Sequence, residues 1–133
     1  MQVKIDTAYK PFQYCKFNGD EVESIVSAAI ESAAKCLRIV PPDNLLVTVF
    51  DCATKPGTMH PSTGGSFCWP TTWSGGVLPP RITIYVHGGA TVRDLERTAY
   101  HETFHLWEFE TGQHPVYDEI AASRFADGFY KPA

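Results

Sequence analysis

His101-Glu102-Thr103-Phe104-His105 places two imidazoles four residues apart with a carboxylate directly after the first. On a helix, residues four apart share a face one turn from each other, with side chains about 5–6 Å apart. Two neutral imidazoles so placed can share one Zn²⁺, and Glu102 then stands beside the ion, where it can take a proton from a bound water. The pattern points to metal-assisted hydrolysis. A catalytic zinc usually takes three protein ligands, so one is still to be found. Glu108, Glu110, His114, Asp118, Glu119 and Asp127 all lie downstream with suitable atoms. Glu108 and Glu110 share the helix with His105 and are expected on other faces. Glu119 falls on the next predicted helix, whose first turn a short connection can bring back to the imidazoles. His114, on that connection, is the rival.

The elements that must hold these groups follow from periodicity. Val92, Leu95, Ala99, Leu106 and Phe109 recur at helical spacing through Glu110. Thr91 with Asp94 resembles a capping box at the start, and Thr111-Gly112 ends the run. The His-Glu-x-x-His pattern thus sits within a helix. A last helix is predicted from about Val116 to Gly128, with Pro115 just ahead of it. Val22, Ile25, Val26, Ala29, Ile30, Ala33 and Leu37 predict an N-terminal amphipathic helix, capped by Asp20 and ending before Pro41-Pro42. Strands are expected at 2–6, at 45–50 and at 81–87, the last from the alternation of Ile82, Ile84 and Val86 with Thr83, Tyr85 and His87. The stretch 51–80 is rich in Gly and Pro and reads as a long loop, with 66–69 as one arm of a short hairpin inside it. The fold class is α+β: a small sheet of three or four strands packed against three helices.

Length and charge narrow the rest. At 133 residues the chain makes one domain with a core of its own. A net charge of −4 and the lack of any basic run give no footprint for nucleic acid. No apolar run is long enough to span a bilayer, and the first residues lack the layout of a signal peptide, so a cytoplasmic protein is expected. Cys15, Cys36, Cys52 and Cys68 form no Cys-x-x-Cys pair and are expected as buried thiols. A Cys52–Cys68 disulfide is the alternative for a hyperthermophile source. Cys52, His60 and Cys68 match no recognised metal-binding spacing.

Glu119-Ile120-Ala121-Ala122-Ser123-Arg124-Phe125-Ala126, with Pro132 beyond it, resembles the Glu-x-x-Ala-x-x-Phe-Ala…Pro segment that follows His-Glu-x-x-His in the ImmA/IrrE-type metallopeptidases, and more broadly in the small glutamate-zincins, or minigluzincins. The likeness runs from the strand at 81–87 to the C-terminus. It implies a zincin-like fold in which His101, His105 and Glu119 bind one Zn²⁺ and Glu102 is the general base. An extended peptide or flexible protein segment would lie along an edge strand at 82–87. Three departures stand out. Phe104 occupies a place where that group commonly has Gly. Gly128 and Lys131 stand where aliphatic residues are usual. Ser123 stands where thermolysin-like enzymes place an acid that orients a ligand histidine, so another group must do that here. Tyr117, His114, Arg124 and Tyr130 are near enough to Glu119 to stabilise an oxyanion, with Tyr117 and His114 preferred. The expected function is a zinc metallopeptidase of the endopeptidase kind, cleaving internal bonds. The alternative is a zinc-bound but proteolytically silent or self-blocked domain, its cleft covered by the 51–80 stretch or the C-terminal tail.

Overall fold

The computed structural model describes residues 1–6, 17–51, 65–68, 71–73, 76–86, 91–112 and 118–128. In chain order these give β1 (Gln2–Asp6), α1 (Gly19–Leu37), β2 (Leu46–Asp51), β3 (Gly65–Cys68), β4 (Thr71–Trp73), β5 (Gly76–Leu78), β6 (Arg81–Val86), α2 (Val92–Glu110) and α3 (Glu119–Gly128). The fold is α+β, as its sequence periods require. A four-stranded mixed sheet has the order β1-β2-β6-β3, and β4 and β5 form a separate antiparallel pair. β1 and β6 both run parallel to β2, while β3 runs antiparallel to β6.

Alternation along the strands decides which side is dry. Val47 pairs with Ile82 and Val49 with Ile84, and all four are fully buried together with Val86. The helices supply the opposing apolar stripe: Val22, Val26, Ile30 and Ala33 from α1, Leu95, Ala99 and Leu106 from α2. Each large aliphatic side chain so buried contributes about 1.5–3 kcal/mol. α2 is the central rod, packed against α1, α3, β6 and β3. Among the described residues, no helix is long and apolar enough to cross a membrane.

Capping fixes the helix ends. The side chain of Asn18, rather than Asp20, caps α1 by accepting from the Glu21 amide at 2.9 Å. Both hydrogen bonds of the capping box between Thr91 and Asp94 are present at the start of α2. Past the end of α2, Gly112 takes φ 79°, a left-handed conformation that glycine adopts without strain. Asp118 caps α3, its carboxylate accepting from the Ala121 amide at 2.9 Å and its carbonyl from the Ala122 amide at 3.0 Å. The expected start of this helix, Val116 and Tyr117, lies outside the described residues.

Two expectations about the sheet need correction. The strand at 81–86 is not an edge: β2 and β3 flank it, and among the described residues β3 is the outer strand on that side. The stretch 51–80 is also not all loop, because it carries β3, β4 and β5. Its segment 65–68 pairs with β6, instead of forming a hairpin arm within the stretch. What lets this edge strand sit so low is Gly65. A Cβ there would come within 2.8 Å of the Thr83 carbonyl oxygen and of Thr98 Cγ2, and within 3.3 Å of Glu102 Cγ.

Candidate metal centre

α2 presents His101 and His105 on one face, with ring centroids 5.0 Å apart and their Nε2 atoms 3.3 Å apart. α3 crosses close by and brings its first residue to them. Glu119 Oε2 lies 2.9 Å from His101 Nε2, and Glu119 Oε1 lies 2.9 Å from His105 Nε2. His101, Glu102 and His105 can each offer a ligand atom within 4.8 Å of the others, a group able to hold a metal ion. The donor set fits one. Two nitrogens each 2.0–2.1 Å from a tetrahedral ion are about 3.3–3.4 Å apart, which matches the Nε2 separation. The Glu119 side chain remains 69% exposed, so this corner of the site is open to solvent.

Burial sets the electrostatics. Glu102 is 4% exposed, and its carboxyl is pushed up to about 8, first by loss of hydration and then by the negative charge of Glu119. His101 is held below its ordinary value, chiefly by burial. Its hydrogen bond to Glu119 opposes that effect, His105 adds to it, the charge of Glu119 again opposes it, and Arg97 adds to it. A neutral imidazole is the form that binds a cation.

The far sides of the two rings are also engaged. His105 Nδ1 lies 2.8 Å from Glu108 Oε1, and both side chains are almost wholly buried. A carboxylate only accepts, so this contact keeps the proton on Nδ1 and turns the Nε2 lone pair toward His101 and Glu119. Glu108 Oε2 accepts a second hydrogen bond, from the Asp118 amide at 3.0 Å. Glu108 therefore does not point to an unrelated face, contrary to the sequence reading. The signal was there: it follows His105 by three residues, a spacing at which helical side chains meet. Ser123 Oγ lies 3.4 Å from His101 Nδ1, a long and weak contact.

Phe104 joins the helices on the other flank. Its ring lies 5.1 Å from that of Trp107 and 5.6 Å from that of Phe125, and Phe125 is 5.5 Å from Tyr100. Ala122 and Ala126 are fully buried beneath α3. Small residues thus bring α3 close, and aromatic rings lock it.

The expected oxyanion donors His114 and Tyr117 lie outside the described residues, as do Tyr130 and the C-terminal tail. Cys52 and His60 lie outside them too, and with them the Cys52–Cys68 pairing and the Cys52, His60, Cys68 cluster. Cys36 is a free thiol, exposed rather than buried. Comparison with protein-family models, curated proteins and solved structures finds no match to this chain.

Proposed function

We propose that the chain is a zinc-dependent metallopeptidase of zincin-like fold, acting on an extended peptide or a flexible protein segment. The observation that carries this reading is the convergence of two imidazole Nε2 atoms and the Glu119 carboxylate from two helices, beside the buried carboxylate of Glu102. His101, His105 and Glu119 would hold the ion. Zinc bound there supplies a Lewis acid, lowering the pKa of a water to about 7 and polarising a carbonyl.

The chain's own groups do the rest. Glu102 accepts a proton from the attacking water on a carboxylate oxygen and passes it to the amide nitrogen as the C–N bond breaks. That role needs the ionised form. Burial and Glu119 hold Glu102 protonated at neutral pH, and a cation in the site opposes both causes. β3 is an outer strand of the sheet among the described residues, an extended peptide would lie along it, and Gly65 sets that strand against Glu102. Tyr117 or His114, shortly before Glu119 in the chain, is the proposed donor to the oxyanion.

The test is cleavage of an unstructured peptide library by zinc-loaded protein, beside Glu102→Gln. Wild-type protein is expected to cleave, and the variant to bind zinc without cleaving. Equal cleavage by both would remove Glu102 from the mechanism. Zinc bound by both with cleavage by neither would leave a metal-holding module without catalysis.

A further inference from the structure

Glu108 is a buried acid on a helix whose other buried acid, Glu102, already has a proposed use. Its side chain is 5% exposed, and both of its oxygens are engaged. One lies 2.8 Å from His105 Nδ1, and the other accepts a hydrogen bond from the backbone N–H of Asp118 at 3.0 Å. Asp118 is the residue immediately before Glu119 and caps α3 through its own carboxylate. A single carboxylate therefore holds one imidazole of the site and the backbone adjoining the Glu119 carboxylate.

We infer that Glu108 is a positioning residue: it holds the orientation and tautomer of the His105 ring and, through the Asp118 amide, sets where Glu119 meets the two imidazoles. This rests on the reading of His101, His105 and Glu119 as metal ligands. The chemistry is specific to a carboxylate. The Asp118 amide is a donor, and a carboxylate can face His105 Nδ1 at 2.8 Å only as an acceptor, so both Glu108 oxygens accept when Nδ1 carries the ring proton. A carboxamide offers only one acceptor. In Glu108→Gln, the oxygen can serve the Asp118 amide or the His105 ring, and the NH₂ group then faces the other donor. If the oxygen stays with the backbone, the NH₂ group favours the His105 tautomer with its proton on Nε2, directed into the site. If the oxygen stays with the ring, the start of α3 loses its anchor. The Ser123 contact with His101 is longer and neutral at its serine end, so it cannot replace a carboxylate.

Two measurements on wild-type protein and Glu108→Gln test this. The first is zinc affinity, by competition with a chromophoric chelator. The second is the ¹⁵N–¹H correlation of the His105 Nδ1 proton, recorded with and without zinc. Wild-type protein is expected to show a slowly exchanging Nδ1 proton in both states. Glu108→Gln should bind zinc about 10–100-fold more weakly, the range for loss of such an outer partner, and should lose the Nδ1 protection where its oxygen turns to the Asp118 amide. Far-ultraviolet circular dichroism of the variant checks that its helices persist. Zinc affinity of the variant within about twofold of wild type overturns the inference, whichever donor the carboxamide oxygen serves. So does a wild-type protein without a protected Nδ1 proton, a result that needs no folded variant. Failure of the parent reading looks different: wild-type protein would take up no zinc while its Nδ1 proton remained protected.

Discussion

A carboxyl group beneath a β-strand and beside a second carboxylate carries its proton well into neutral pH, and this gives Glu102 a measurable effect on metal-free protein. Its folded value of about 8 stands above the ordinary 4.5, so the fold favours the protonated form. Below about pH 4.5 both folded and unfolded chains are protonated, and the contribution is fully present. As pH rises toward 8 the unfolded chain ionises first, and stability is lost by an amount on the order of 3–5 kcal/mol. His101, held below its ordinary value, acts in the other direction: its contribution is present above about 6.5 and is lost as pH falls. Urea unfolding of metal-free wild type and Glu102→Gln across pH 5–8 separates the two. The variant should lack the downward slope, and parallel curves would contradict the assignment. With zinc bound, the same substitution should lower the rate of peptide cleavage by about 10²–10⁴-fold with zinc content unchanged. Helical spacing alone made His101, Glu102 and His105 readable as a group. Glu108 was misplaced because it was judged only as a ligand, when its three-residue offset from His105 suits it to orienting one.

Where two elements meet without room for a methyl group, the cost of adding one is direct. Gly65→Ala would set a Cβ 2.8 Å from both a backbone oxygen of β6 and a side-chain carbon of α2. Overpacking of this kind costs about 1–3 kcal/mol, read as a lower urea midpoint, and should also move β3 away from Glu102. An unchanged midpoint would mean that the strand does not sit where the structure has it. On the opposite flank, Phe125→Ala removes a ring that touches Phe104 and Tyr100. A loss of about 2–4 kcal/mol is expected, together with weaker zinc binding, since α3 carries Glu119. These contacts explain what periodicity could and could not reveal. The helices announced themselves through long apolar stripes and strong caps. Gly65-Ser66-Phe67-Cys68 has no such alternation, and it becomes a strand only because β6 offers it an edge. Strand order depends on partners distant in sequence, so the identity of the edge could not be read from either segment alone.

Three side chains from two helices converge on one point, and a cation held there would couple metal binding to folding. Without it, Glu119 stands between two imidazoles and adds its charge to the burial that acts on Glu102. Chelation should therefore lower the melting temperature. At a few degrees per kcal/mol for a chain of this size, a drop of at least about 5 °C is expected, reversed by adding back zinc. The α+β class and the central place of the His-Glu-x-x-His helix followed from local pattern. The approach of Glu119 depends on how α3 crosses α2, which burial of Ala122 and Ala126 decides through packing; in the sequence it was legible only through the resemblance of the 119–126 segment, not through periodicity. The most direct measurement is anomalous diffraction at the zinc edge from crystals of the zinc-loaded protein. The expected result is one strong peak bonded by His101 Nε2, His105 Nε2 and a Glu119 oxygen. No peak at that point, or one there with the Glu119 carboxylate turned away from it, would contradict the proposed centre.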